Sequence, residues 1–537
     1  MLGRRDPQHS FFDAQFWPHR VAADSIYGRM AAVRDVLFND DDLAEMYCLD
    51  NGRPSLPPSL MCGVLLLQFH DDVGDEEAVE RLLHDLRWKV ALGLPLDFPG
   101  FDPTSLVVFR KRLLKHGEER YAFERFLKVA REAGFLPDRL RQLVDSTSMK
   151  GAGAVQDTFT LLRKGIRRLL KAMGFAVPGK RRGLQANLQG YLESDKKAEI
   201  DWSDPKARLG QLKVLITDAE AALDLAGGHA DDREVRMVGW LLTKILGDDI
   251  EVGEEGEPKL GQGVARDRMI SWTDPEMRHG RKSASQRWNG DTVQVAEEPQ
   301  TELITEIDVV DASAGDGASL LPMVKSVEKC LEVKVERATG DTAYGSVGNR
   351  VKCSEQGIDL VSPVAVAGDP EVAKTAFQID EVAGKAACPQ GQMSMVCREV
   401  KDDEGRKVKQ FVFEREVCVA CPLFKRCVKS KKSGRTVTLN YDEHVMNEAR
   451  DRQGTAEYRE AYRERPKVER KIAELVGHGL RQARYIGRRK KRLQALWTAA
   501  IVNLKRLFKL AKGDSALIGR ALAKLSTGHR VLGASQT

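Results

Sequence analysis

The sequence predicts a mixed α/β protein with helical ends, and three observations predict it. Short apolar runs bounded by turn-forming residues, at 140–144, 292–296, 303–310, 333–338 and 358–361, have the length and composition of strands. Between the third and fourth of these runs, Leu320, Leu321, Val324 and Val327 recur on one side of a helix. Before the first run and after the last, apolar residues return at helical spacing, as in Leu493, Trp497, Ala500, Leu504, Leu507 and Phe508. The order strand, hairpin, helix, strand, strand calls for a mixed sheet flanked by helices.

Taken in order, residues 30–38 suit a short helix, and Leu60, Val64, Leu67 and Gln68 suit a longer one. Asp75 is placed to cap a further helix whose buried stripe is Val79, Leu82, Leu83, Leu86 and Val90. Thr104 follows a Pro/Gly-rich turn and can cap the next, which carries Arg110, Lys111 and Arg112. Three short helices ending in a basic one suit a helix-turn-helix DNA reader, and equally a plain bundle with a solvated basic face. The run 140–144 then delivers Asp145 at its end, and 333–338 leads through Gly340 into Asp341. Residues 157–250 are helical in pattern and read as one insertion; a polar, Cys-containing stretch from Gly368 reads as another. This element order fits the ribonuclease H-like fold, with a helical N-terminal domain and two insertions added.

Composition narrows the function. The chain has 537 residues, 42% of them apolar and 31% charged, so several domains with real cores are available. Lys and Arg number 85 against 79 Asp and Glu, an excess too small to imply a polyanionic partner by itself. Its distribution matters more, because Arg and Lys crowd residues 462–512, against only Glu464, Glu469 and Glu474. The opening MLGRRDPQHSFFDAQF lacks the apolar core of a signal peptide and no run approaches a membrane span. The expectation is a soluble, cytoplasmic, nucleoid-associated protein with no membrane partner. Its nine cysteines are expected to be reduced.

Two acids at strand ends suit phosphodiester chemistry, in which carboxylates must hold two divalent cations about 4 Å apart. Oxygen ligands favour magnesium or manganese. Arg278, His279, Arg281 and Lys282 fall in one short loop that can hold phosphates near such a site, or can be a solvated charged loop. Arg481, Arg484, Tyr485 and Arg488 form a basic segment in which Arg484 and Arg488, four apart, would face one way on a helix. Cys388, Cys418, Cys421 and Cys427 give a cysteine followed by C-x2-C-x5-C, which suits structural zinc; Cys397 could replace one ligand, and four reduced cysteines are the alternative. Cys48, Cys62, Cys330 and Cys353 adjoin apolar segments and read as core.

The stretches VDSTSMKGAGAVQDT around Asp145, DPEMRHGRKSASQRWNG at 274–290, TGDTAYGS around Asp341 and YRERPKVERKIAELVGHGLRQARYIG from Tyr462, with TSLVVFRKRL near the N-terminus, occur in fixed order. Together they resemble bacterial insertion-sequence DDE transposases, closest to the insertion sequence 1182 family. The resemblance implies that Asp145, Asp341 and Glu469 are the catalytic carboxylates. Val468, Ile472 and Leu475 form a buried stripe that leaves Glu469 at its edge, consistent with that role. Related enzymes carry Tyr, Arg, Glu and Lys in a helical series; Tyr462, Arg465 and Glu469 match, while the Lys position is Val476. Lys471 or Arg481 would then contact phosphate instead.

The resulting division is a helical DNA-binding domain at 1–135, core strands at 136–156 and 270–368, a mostly helical insertion at 157–269, a Cys-containing insertion at 369–445, the catalytic Glu helix with basic helices at 446–515, and a tail at 516–537. The expected activity is metal-dependent cleavage and strand transfer at the terminal inverted repeats. Double-stranded DNA, as element ends and target, and a second copy of the chain in a homodimer or higher oligomer are the expected partners. A catalytically silent, transposase-derived DNA-binding protein and a non-joining nuclease of the same fold are the alternatives.

Overall fold

The structure, a computed structural model, describes residues 1–4, 18–48, 51–177, 179, 181, 183–194, 199–229, 231–253, 256–261, 265, 267–282, 285–364, 369–401, 405–430, 432–439 and 442–533. In the N-terminal part, α1 (Ile26–Leu37) starts at Ser25, whose hydroxyl accepts from the Gly28 amide. Helix α2 (Pro58–Asp71) is buried on every side from Pro58 to Phe69, so it is a central strut rather than a surface element. The single helix expected after Asp75 is two, α3 (Asp75–His84) and α4 (Leu86–Leu92), because Asp85 leaves helical geometry and its carboxylate caps the Arg87 amide at 2.9 Å. Asp75 does not cap α3, whose N-cap is Gly74; its carboxylate instead receives Gln68 at 2.7 Å and both terminal nitrogens of Arg110. Arg110 lies on α5 (Thr104–His116), which leads to α6 (Tyr121–Glu132).

Strand β1 (Arg139–Lys150) follows. Helices α7 (Thr158–Ala172), α8 (Ala186–Glu193), α9 (Pro205–Gly227) and α10 (Arg233–Asp249), with the small ribbon β2 (Ile250–Val252) and β3 (Pro258–Leu260), form the insertion. It has its own core around Leu161, Ile166, Leu169, Leu242 and Trp272. The main sheet resumes with β4 (Arg278–Arg281), β5 (Arg287–Glu298) and β6 (Leu303–Asp311), then α11 (Leu320–Leu331), β7 (Lys334–Thr339), α12 (Val347–Glu355) and β8 (Asp359–Val361). Residues 278–281, expected as a loop, are thus strand, since their backbone pairs with β5 from Arg278↔Gly290 to Arg281↔Arg287. Among the described residues this sheet has six strands in the order β4-β5-β1-β7-β8, with β6 also on β5; β1 is antiparallel to β5 and parallel to β7.

Strands β9 (Gln378–Asp380), β10 (Lys385–Ala387), β11 (Val396–Lys401) and β12 (Lys407–Val412), helices α13 (Arg415–Val419) and α14 (Phe424–Cys427), and β13 (Thr436–Leu439) build the Cys-containing unit. Helices α15 (Glu443–Gln453), α16 (Ala456–Arg463), α17 (Pro466–Gly477), α18 (Arg488–Leu510) and α19 (Ser515–Gly533) complete the chain. The region expected as a tail therefore carries a helix, and Ile518, Ala521 and Leu522 bury its apolar side, with α1 and α6 as neighbours. Residues 534–537 lie outside the described residues. Among the described residues no helix is long and apolar enough to cross a membrane.

Helix α18 joins the N-terminal helices to the sheet, buried from Leu493 to Leu504. The Asn503 amide both accepts from the Ile304 amide at 2.9 Å and donates to its carbonyl at 2.8 Å, fixing α18 on β6. At its start Lys491, with no exposed surface, meets Asp274 at 2.6 Å and also Asp291. Removing one member of such a group leaves charge buried without a partner, a loss of about 3–5 kcal/mol.

One buried carboxylate has no such partner. Glu297 on β5 has both side-chain oxygens inaccessible and without a hydrogen bond. Burial pushes its carboxyl up to about 7, with Lys471 opposing and Glu302 adding. A carboxyl raised in the fold contributes stability that is complete below the unfolded value, near 4.5, and is lost as pH rises through 7. Glu297→Gln is therefore expected to leave the chemical-denaturation midpoint nearly unchanged at pH 4 and to raise stability at pH 8 by about 2–3 kcal/mol.

Candidate active site

The site begins where two parallel strands part. Strand β1 pairs with β7 from Arg139↔Lys334 to Leu143↔Thr339 and no further, while its other edge stays on β5 as far as Lys150↔Gly290. Asp145 lies on the freed edge, in the middle of β1 rather than at its end. Residues 146–150, polar except for buried Met149, stay extended because β5 satisfies their backbone groups and their side chains alternate in burial. The chain leaves β7 through Gly340 into Asp341, whose carboxylate accepts from the Ala343 amide at 2.9 Å. The Gly340 amide donates to the Val361 carbonyl at 3.0 Å, and the Ser362 hydroxyl donates to the Asp341 carbonyl at 2.6 Å, so β8 holds this turn.

Helix α17 lies over β1 and β5. Val468, Ile472 and Leu475 bury its inner side as the spacing predicts, and Glu469 sits at the edge with its side chain 53% exposed. Tyr462, Arg465 and Glu469 are not on one continuous helix: α16 ends at Arg463, Arg465 is the N-cap of α17, and Pro466 opens it. That break turns Arg465 inward. Its guanidinium donates to Asp145 at 3.1 Å and to Glu469, joining β1 to α17 across the site.

Asp145 and Glu469 share that guanidinium, and Asp341 bears on Asp145 and on Tyr462. Burial pushes the Asp145 carboxyl above its ordinary value; the Ser146 amide at 2.8 Å and Arg465 pull it down, Asp341 pushes it up, and Lys282 opposes. Burial likewise raises the Tyr462 hydroxyl, Arg465 lowers it, and Asp341, Glu469 and Asp145 raise it further. Burial works against the charge on Arg465, but Asp145, Tyr462 and Glu469 hold its pKa above the ordinary value.

Among the described residues no group of three or more His, Cys, Asp or Glu side chains is close enough to hold a metal ion. At this site the Arg465 guanidinium lies between Asp145 and Glu469 and bonds both. The candidate donors are all carboxylate oxygens, suited to a hard divalent cation, and two of them, on Asp145 and Glu469, already share a positive charge.

The remaining expected DNA contacts fall into two groups. Several are engaged within the protein: Arg110 with Asp75 and stacked 5.1 Å over Tyr485, Arg112 stacked 4.5 Å over Tyr47, and buried Lys471 with Glu474 at 3.0 Å. Arg278 bonds Asp267 and the carbonyls of Pro275 and Met277, and His279 meets Asn289 at 2.7 Å. Arg488 reaches Asp291 at 3.0 Å and Asp311 at 3.2 Å. Arg484 and Arg488 do not share a helical face, because Arg484 precedes α18 in an extended linker and bonds Asp72 and the Val73 carbonyl. Arg281, Lys282 and Arg481 are exposed. Arg481 belongs to a segment that continues the open edge of β1: Lys150 donates to the Arg481 carbonyl at 2.7 Å, and Ala483 donates back to Lys150 at 2.8 Å.

Cys388, Cys418, Cys421 and Cys427 line one apolar cavity with Phe377, Phe413 and Leu423. Burial raises the Cys427 thiol, Arg435 lowers it, and the other three thiols raise it again. Cys397 packs on the same small core. Cys62 and Cys353 are buried as expected and Cys330 partly so, but Cys48 is exposed, in the turn after Tyr47 rather than under a helix. Asp274 and Asp291, which fix the start of α18 beneath the basic linker, carry no signal in sequence beyond one acid inside the DPEMRHGRK stretch.

Comparison with known proteins adds family information. Residues 387–508 match a family described as a transposase DDE domain, and residues 17–112 match one described as a transposase domain of unknown function. The first span includes the four cavity-lining cysteines and Glu469; the second ends at Arg112. No curated protein matches the chain. A solved piggyBac transposase synaptic complex with hairpin DNA is 9% identical over 71% of this chain and 74% of its own, with a TM-score of 0.20, and carries no argument about the fold. The two domain matches support a transposase of the bacterial DDE type.

Proposed function

We propose that this chain is an insertion-sequence transposase, similar to the insertion sequence 1182 family, that binds the ends of its element, cleaves there and joins the freed 3′ ends to target DNA. The observation that carries the reading is that Asp145 and Asp341 each lie two residues beyond Leu143↔Thr339, the last β1–β7 pair, with Glu469 tied to Asp145 through Arg465. The strand order β6, β5, β1, β7, β8, with β7 parallel to β1, supports a ribonuclease H-like core. Asp145, Asp341 and Glu469 would hold magnesium or manganese, which supplies activation of the attacking oxygen and stabilisation of the leaving one. The chain's own residues bind and orient. Arg465 is placed to exchange its carboxylates for a phosphate, which a guanidinium holds through two parallel hydrogen bonds. Tyr462 lies beside it, while exposed Arg281, Lys282 and Arg481 extend the positive charge beyond the acids. Two or more copies would pair the element ends.

A duplex carrying the element's terminal inverted repeat and a labelled 3′ end tests this. The wild type is expected to cut and to join the label to target DNA. Asp145→Asn, Asp341→Asn and Glu469→Gln should each lower cleavage by about a hundredfold or more with DNA affinity retained. Binding with no cleavage by the wild type would indicate the silent DNA-binding protein, and cleavage without joining the nuclease. Lys282→Ala with Arg481→Ala should flatten the slope of log affinity against log salt by about two. An unchanged slope would remove those residues from the interface.

Within the same proposal the Cys-containing unit would hold structural zinc, for which its thiols would have to draw closer together than they stand. Four thiols line one cavity, and two accept backbone hydrogen bonds of the kind that support thiolates, Cys388 from Gln392 at 3.3 Å and Cys418 from Arg435 at 3.4 Å. Its buried core, Phe377, Ala386, Phe411, Phe413, Val437 and Leu439, is small for an independent unit, so metal binding would supply folding free energy. Purified protein is expected to contain one zinc per chain, and chelation to speed amide exchange over 378–439 while sparing β1 and β7. Metal analysis that finds none would remove zinc from the account.

A further inference from the structure

The turn that carries Asp341 also carries a tyrosine that cannot be explained by surface chemistry. Tyr344 has no exposed area, yet it lies only three residues beyond Asp341. Its ring fills the place a side chain at Gly340 would need: a Cβ there would sit 2.7 Å and 2.9 Å from ring carbons of Tyr344 and 2.9 Å from a methyl of Val144. Gly340 directly precedes Asp341, and Val144 directly precedes Asp145. The ring is therefore packed against the backbone just before Asp341, and the Val144 side chain, just before Asp145, reaches the same spot.

Its hydroxyl is fixed as firmly. It donates to the Gln294 side-chain oxygen at 2.6 Å, and the Gln294 amide donates to Asp316 at 2.8 Å. Gln294 lies on β5 opposite Ser146, so the tyrosine is tied to the strand that keeps β1 in place after β7 has left it. Burial, reinforced by Asp316, Asp145 and Asp341, keeps the hydroxyl protonated and hence a donor. The Tyr344 carbonyl in turn accepts from Asn349 at 2.9 Å.

We propose that Tyr344, packed against Gly340 and anchored through Gln294 to β5 opposite Ser146, is a positioning residue that sets the separation of Asp145 and Asp341. The assignment rests on the reading of those aspartates as cation ligands. The ring limits how closely β1 and the Asp341 turn can approach, and the hydroxyl limits how far the turn can drift from β5. Gly340 is the residue that lets the ring occupy its place.

The test is manganese binding to the full-length chain without DNA, followed by the electron paramagnetic resonance of the free ion, with thermal melting measured in parallel. Tyr344→Phe keeps the ring and removes the anchor; Gly340→Ala keeps the anchor and drives a methyl into the ring. Each is expected to weaken manganese binding at least about tenfold while the folded chain is retained, whereas a purely structural role would lower the melting temperature and leave the affinity of the folded fraction alone. Asp341→Asn separates this inference from the one beneath it. If Asp341→Asn does not weaken manganese binding, the cation-ligand reading fails. If Asp341→Asn does weaken it and Tyr344→Phe binds as the wild type does, the positioning role of Tyr344 is overturned, whether or not Gly340→Ala folds.

Discussion

The early parting of β1 and β7 is the constraint on which the rest of this molecule depends. Parallel pairing stops at Leu143 and Thr339, but β1 continues along β5 to Lys150. A wedge opens between neighbouring strands inside a sheet, and the unpaired edge has to be satisfied by something else. At its narrow end the Asp341 turn folds back, held by Val361 and Ser362 of the next strand and its exit. At its wide end the linker at 481–483 pairs with Lys150. Asp145 lies on the unpaired edge of β1 and Asp341 in the turn just beyond β7.

What covers the wedge is built from the C-terminal part, and α18 makes that possible. A helix buried on all sides cannot be positioned by amphipathicity, so its register comes from polar contacts: Asn503 reads the backbone of Ile304, and Lys491 is held by Asp274 and Asp291. These contacts explain why much of the basic charge near residue 490 is spent internally. Lys491 and Arg488 neutralise acids on β5 and in the segment before β4, whereas Arg481 is left outside. With α18 fixed, α17 lies across β1 and β5, and the break between α16 and α17 at Arg465 delivers a guanidinium to Asp145 and Glu469. Asp145 and Glu469 therefore rest neutralised by the chain itself.

Much of this was legible in the residues, and the exceptions have physical causes. The hairpin of β5 and β6, the amphipathic α11 and the strands β7 and β8 carry recurrent apolar residues, and each lies where the pattern puts it. The second half of β1 reads as a turn, because Ser146, Thr147 and Ser148 favour turns locally; only pairing with β5, encoded more than a hundred residues away, keeps them extended. Residues 278–281 are hidden in the same way, as their charge suggests a loop while their backbone completes an edge strand. Basic residues mislead most. Arg110, Arg278 and Arg488 have the sequence signature of a phosphate-binding surface, and the acids that engage them, Asp75, Asp267 and Asp291, are recognisable as partners only in three dimensions. Asp145, Asp341 and Glu469 were nameable because their local stretches resemble a family; the role of Arg465 as the shared counter-ion of Asp145 and Glu469 was not, since it depends on a helix break that spacing alone does not reveal.

The central claim is that the wedge between β1 and β7 is a divalent-cation site whose charge Arg465 balances at rest. Anomalous diffraction from crystals of the full chain soaked in manganese, recorded near the metal's absorption edge, tests it directly. The account predicts a manganese peak bridging the carboxylates of Asp145 and Asp341, with the Arg465 guanidinium turned away from Asp145. Manganese bound elsewhere, with Arg465 still seated between Asp145 and Glu469, would contradict it.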